Sequence, residues 1–227
     1  MASAISCACQ SALQAGSFTI DDWVLETGII DDRNHFMASY SPEPLPYQDT
    51  HTVVVGPSRA FSYFDFSMSP DTASFLIQAS HIALDANSTR SLSAGNIFIT
   101  PAVDLLLSAT GRYDWDLTTD AMAVTYGILV EDALTHENFF ERGGSHTTFL
   151  NGPEAGTYLI DGQVVLPAGR EMWISYRFMV DTFDGNTGLL ATGEGFIHFS
   201  LSPVPEPATL SLLALSALFM RPRSREW

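Results

Sequence analysis

Apolar residues recur at every second position along most of this chain, the period of a strand with one buried face. The alternation is cleanest at 171–180, where Met172, Ile174, Tyr176, Phe178 and Val180 share one face and Trp173, Ser175, Arg177 and Met179 the other. The first face is the more continuously apolar, so it is expected inside, with Arg177 reaching solvent or an acidic partner. Tyr113, Trp115 and Leu117 alternate with Asp114 and Asp116 in the same way. Residues 60–68 place Phe61 and Tyr63 on one face and Phe64 and Phe66 on the other, which predicts a central strand covered on both sides. Further strands are expected at 18–20, 52–55, 74–84, 96–100, 103–108, 122–130, 147–150, 157–160, 163–166 and 196–201. Turn residues separate them, among them Gly95, Pro101, Gly111, Asn151-Gly152-Pro153 and the hairpin signal Asp161-Gly162. Only 131–142 reads as helical or irregular, ending at Gly143-Gly144. About a dozen short strands with frequent turns predict an all-β fold, an antiparallel β-sandwich of jelly-roll or Greek-key type.

The pattern changes at the C-terminal end. Val204, Pro205, Glu206 and Pro207 lead into thirteen uncharged residues, 208–220, which run into Arg221, Arg223 and Arg225. As a helix the apolar run would span roughly 20 Å at ~1.5 Å per residue, against a hydrocarbon core of about 30 Å. A weak or temporary anchor is therefore expected. Arginines directly after an apolar run stay on the cytoplasmic side, which puts residues 1–203 across the membrane. The flanking prolines and arginines suit a docked core helix badly.

Pro205-Glu206-Pro207, a short apolar helix and an arginine-rich end, in that order, resemble the PEP-CTERM sorting signal of bacterial exported proteins. The likeness covers about a tenth of the chain, with Pro222 inside the basic cluster and Glu226-Trp227 after it. It implies recognition by an exosortase, a membrane-embedded cysteine transpeptidase-like enzyme that cuts near the tripeptide and passes the body onward. The expected route is transient inner-membrane anchoring, then the cell surface or extracellular space.

Charge narrows the body's partners. The chain carries ten arginines, no lysine and twenty-six acids; between 16 and 202 there are seven arginines against twenty-four acids, a net −17. Such a surface repels phosphate backbones and anionic lipid, so nucleic acid is excluded as a partner. Without lysine there is no P-loop, no Schiff base and no Ser-Lys catalysis. Both cysteines, Cys7 and Cys9, lie in the small apolar segment 1–15, too close in sequence to bridge each other well. That segment is expected to be the remnant of an export signal, with Met1 an internal codon, or else a disordered N-terminus.

Candidate chemistry is sparse. His136-Glu137-Asn138-Phe139-Phe140 lacks the second histidine of a zinc-protease helix. Ser145 and His146 are neighbours on an extended chain and so point to opposite faces. Asp114, Asp116 and Asp120, and Asp181, Asp184 and Asn186, offer oxygen ligands of the type that hold Ca²⁺ in loops, without the EF-hand spacing. Solvated carboxylates are the plainer expectation there. Trp23, Trp115 and Trp173 would stack sugars if exposed, although aromatics on alternating strands are usually core.

The chain thus divides into an N-terminal segment 1–15, a β-sandwich domain 16–202 and a sorting segment 203–227 with a short transmembrane helix. Its expected role is that of an exported, non-enzymatic protein of the cell envelope or extracellular matrix, with exopolysaccharide a candidate partner. Two alternatives are a carbohydrate-binding module, which needs three or more coplanar exposed aromatics, and a polysaccharide-active or esterase-like enzyme. The enzyme needs carboxylates about 5 to 10 Å apart in a cleft or a Ser/His/Asp cluster.

Overall fold

The period of two is realised as strands that are longer and fewer in their breaks than the turn residues suggest. A computed structural model describes residues 13–14, 16–31, 35–40, 46–85, 89–118, 122–148, 153–183 and 189–204. They form thirteen strands: β1 (Leu13–Gln14), β2 (Phe18–Asp31), β3 (His35–Tyr40), β4 (Tyr47–Val55), β5 (Ser58–Met68), β6 (Ala73–Asp85), β7 (Thr89–Pro101), β8 (Leu105–Leu117), β9 (Met122–Asp132), β10 (Asn138–Thr147), β11 (Glu154–Leu166), β12 (Met172–Thr182) and β13 (Leu189–Pro203). No helix occurs among the described residues. The sorting segment from Pro205 onward, with its expected helix, lies outside them, as do Asp120, Asp184 and Asn186.

All pairings are antiparallel, in two sheets. Sheet A runs β1-β2-β7-β12-β9-β10, with β3 also on β2, and sheet B runs β11-β8-β13-β6-β5-β4. The four strands β6-β13-β8-β11 face the four strands β7-β12-β9-β10, and successive strands from β6 to β9 alternate between the sheets. That winding is the order of a jelly roll, which β4 and β5 extend on one sheet and β1 to β3 on the other.

One apolar cluster fills the space between the sheets. Met172, Ile174, Tyr176, Phe178 and Val180 all point into it and Arg177 is exposed, as the alternation of β12 requires. Tyr113, Trp115 and Leu117 are likewise buried. The stretch 60–68 departs from expectation. Phe64 and Phe66 are core, but the outer face of β5 is uncovered, leaving Phe61 and Tyr63 half-buried, with the Arg59 guanidinium 5.7 Å from the Phe61 ring centre.

The turn readings at Gly95, Gly111, 131–144 and 161–162 also fail, Gly95 lying inside β7 and Gly111 inside β8. Gly143-Gly144 lies inside β10 and Asp161-Gly162 inside β11, so neither ends a strand. The actual turn precedes β10 and is closed by Asp132. Its Oδ1 accepts the backbone N–H groups of Leu134 at 3.0 Å and Thr135 at 2.7 Å, while Oδ2 lies 2.9 Å from Arg170 Nε. These bonds, the Thr135 N–H foremost, hold the Asp132 carboxyl below the usual carboxylate range. His136 completes the turn at φ 58°, in the left-handed region, so it cannot start a zinc-binding helix.

Candidate functional site

A depression of about 570 Å³ lies on the outer face of sheet A, across β7, β12, β9 and β10. Its floor exists because glycine faces glycine. Gly127 of β9 pairs with Gly143 of β10, Gly127 has φ 149°, and a Cβ on it would sit 2.6 Å from the Arg142 carbonyl oxygen. No side chain can rise there, so the neighbouring residues become walls.

Trp173 forms one wall. Its indole stacks on Phe98, the residue opposite it in the β7–β12 register, with ring centres 6.3 Å apart and planes 6° from parallel. Trp173 Nε1 donates to Asn96 Oδ1 at 2.8 Å. An indole nitrogen only donates, so the amide oxygen of Asn96 must face it and the amide NH₂ keeps its hydrogens. That NH₂ makes no hydrogen bond among the described residues, and neither do the Ser175, Thr125 and Ser145 hydroxyls that also line the depression. Arg177, four residues along β12 from Trp173, lies between Ala94 and Gly127, whose side chains are too small to cover it. A rigid apolar ring, several unengaged hydroxyl and amide groups and the Arg177 cation thus surround an open floor, with Glu141 and Arg142 at its β10 edge. The two faces of a sugar ask for this combination.

The three tryptophans do not form one platform. Trp23 and Trp115 are core, and only Trp173 is half-buried on a face. The candidate calcium ligands are dispersed in the same way. Asp114 is held bidentately by Arg112, at 2.7 Å from Nε and 2.9 Å from Nη2, and accepts from Thr157; the Arg112 hydrogen bonds keep its carboxyl below the usual range. Asp116 is exposed beside it. Asp181 sits at the far end of β12, on the outer face of the other sheet, 2.6 Å from Arg90 Nε. Burial outweighs that arginine and raises its pKa. Among the described residues no group of three or more His, Cys, Asp or Glu is placed to hold a metal ion.

Ser145 and His146 point to opposite faces as expected, so they cannot act as nucleophile and base. His146 turns inward instead, into a cluster that sequence reasoning missed. His146 Nδ1 is 3.0 Å from Glu154 Oε1, its Nε2 shares a 3.0 Å hydrogen bond with the Tyr126 hydroxyl, and its ring stacks on Trp115 at 4.8 Å. Burial, helped by the Tyr158 and Glu154 charges, pushes the Tyr126 phenol up to about 12, so it stays protonated at neutral pH. Carboxylate, imidazole and phenol here join β11 of one sheet to β10 and β9 of the other. Elsewhere in the core His81 is fully buried, its pKa lowered to about 3 by desolvation, and packs as a neutral ring against the Tyr113 hydroxyl at 3.3 Å.

Sheet B carries several smaller depressions, one of them of about 310 Å³ on its outer face, lined by Phe61, Gln78, Arg112, Asp114, Glu194 and Phe196. Its arginine is committed to Asp114, and the remaining charges are acids.

No family model matches the chain, and no curated protein matches it. Among solved structures it is similar to that of infectious bursal disease virus, Gx strain, at TM-score 0.32 and 10% identity over 90% of this chain and 60% of that one. It is also similar to the Arthrobacter globiformis T6 isomalto-dextranase complexed with panose, at TM-score 0.23 and 10% identity over 83% of this chain and 36% of that one. An arabinose-bound α-L-arabinofuranosidase gives TM-score 0.21 and 9% identity over 68% and 23%. The chain thus spans 60% of the first of these and less of the other two. No functional reading follows from likenesses this distant.

Proposed function

We propose that this is an exported, non-enzymatic protein of the bacterial envelope or extracellular matrix, delivered by its C-terminal segment, whose sandwich holds a polysaccharide in the outer cleft of sheet A. Delivery rests on the order of Pro205-Glu206-Pro207, apolar run and arginines, which resembles an exosortase substrate with a short membrane helix. Replacing Pro205, Glu206 and Pro207 by alanine should leave an unprocessed membrane species in the native host. Unchanged mass and unchanged surface release in that variant would count against delivery by sorting.

Polysaccharide holding is carried by one observation: the Trp173 ring, fixed between Phe98 and Asn96, stands at the side of a floor without side chains. A sugar ring stacked there would lose little protein entropy on binding, because the indole is already immobilised. The full chain should bind oligosaccharides on a glycan array, and Trp173→Ala should weaken that binding about 30-fold, the loss of a ~2 kcal/mol hot spot. The half-buried position of Trp173 keeps its removal from unfolding the core. An array signal that survives Trp173→Ala would reject the cleft as the site.

A further inference from the structure

We infer that the saccharide is acidic: its carboxylate is taken by Arg177 while a neighbouring sugar ring stacks on Trp173. This rests on the reading of the cleft as a saccharide site and adds the ligand's charge.

The observation is how this chain uses its cations. Every other described arginine is engaged: Arg90 with Asp181, Arg112 with Asp114, Arg170 with Asp132 and Glu137, Arg142 with the Asp161 and Glu141 carbonyls, and Arg59 over the Phe61 ring. Arg177 alone among them has no hydrogen bond, ion pair or ring contact to a described residue, although it is exposed in a chain of net charge −16. Asp181, Glu26, Glu131 and Glu141 share its outer face, and none lies within ion-pair distance of it; Glu131, opposite Trp173, is 2.8 Å from His136 Nδ1. Asp181, four residues along β12, is paired with Arg90 and feels Arg177 only as a weaker, more distant charge. Glu26 stands two strands away across Ala94, and Glu141, at the β10 edge of the same cleft, belongs to the next row of the sheet and is bonded to Asn138 Nδ2 at 3.1 Å. A guanidinium left open beside a saccharide-shaped cleft matches a carboxylate, which it can clamp with two parallel hydrogen bonds.

Spacing defines the ligand further. Trp173 and Arg177 are four residues apart on one strand, ~13 Å at ~3.3 Å per residue. One ring cannot reach both, whereas two or three linked sugars can, with the Ser175 hydroxyl and the Asn96 amide between for sugar hydroxyls. A polymer charged at every unit is disfavoured, because the twenty-four acids of the body repel it. An isolated carboxylate escapes most of that repulsion, since charges beyond about 8 Å are screened at physiological salt. The ligand class is therefore a largely neutral polysaccharide carrying spaced uronic acids.

The test measures calorimetric binding of the full chain, in mild detergent, to matched pairs of oligosaccharides. One pair is xylotetraose and aldotetraouronic acid, a xylotriose bearing one methylglucuronate; the other is chitotetraose and the hyaluronan tetrasaccharide. At least one acidic member should bind about tenfold tighter than its neutral partner, a difference that Arg177→Gln should remove and Arg177→Lys partly keep. Equal binding within both pairs, or an Arg177→Gln variant that weakens both members alike, would overturn the acidic assignment. If both members still required Trp173, the saccharide reading would survive that result. Absence of binding in both pairs, or binding indifferent to Trp173→Ala, would overturn both.

Discussion

Phe178→Ala should lower the unfolding free energy by about 3–5 kcal/mol through lost transfer energy and the cavity left behind. Phe178 is completely buried at the middle of β12, the strand bonded to β7 on one side and β9 on the other. Its ring stacks on Tyr113 of the facing sheet, 4.8 Å between centres and 8° from parallel. Tyr113 is itself buried and packed against His81, so it cannot swing over to fill the gap. The loss is a large share of a typical domain stability of roughly 5–15 kcal/mol. Ser175, on the same strand but the outer face, makes no hydrogen bond among the described residues, and Ser175→Ala should stay within about 0.5 kcal/mol. Urea titrations with equal midpoints for the two variants would mean that the buried and outer faces of β12 have been exchanged.

Gly95→Ala should cost about 3 kcal/mol, the upper part of the range for overpacking. Gly95 stands opposite Tyr176 in the β7–β12 register, and the tyrosine ring lies across it. An added Cβ would sit 2.8 Å from both Cζ and Oη of a ring that is 1% exposed and closed in by core on its other side. The ring is rigid, so the strain passes to the backbone. In Gly95→Ala/Tyr176→Leu the two changes should be less harmful together than the sum of each alone, by at least about 1 kcal/mol. Additive losses, or a Gly95→Ala variant as stable as the parent, would show that the ring does not rest on the glycine.

The central strands were legible because both their neighbours and their burial repeat with period two. β12 presents that pattern from Met172 to Phe178 and β8 from Tyr113 to Leu117, and their buried faces are those the alternation selects, although Gly111 reads as a turn where β8 runs straight through. β10 was not legible. At a sheet edge Glu141, Arg142 and Ser145 all meet solvent, so no apolar alternation marks it, and its two glycines imitate a strand end. β11 was cut in two for a related reason: Gly162 reads as a turn residue, yet it is a glycine because the Phe140 ring closes on it, with a Cβ there only 2.7 Å from Phe140 Cε2. The cleft was legible only at β12, where Trp173 and the outward course of Arg177 were read from the chain. Its floor depends on Gly127 meeting Gly143 across two strands, and its wall on Phe98 meeting Trp173 across seventy-five positions. Such encounters follow from register, which local pattern does not carry.

The winding order has a consequence for how the polypeptide reaches this state. β13, the last described strand, lies between β6 and β8 in the middle of sheet B. Until it arrives, β6 and β8 each present an unpaired inner edge, a template for pairing with other chains. Closing sheet B joins Leu189 to Asp85 and Ala191 to Leu117, contacts of long sequence separation that form slowly. A nascent chain therefore cannot complete this domain from its N-terminal side. The final fifteen-residue strand acts as a keystone, and its delivery separates an aggregation-prone intermediate from the native sandwich.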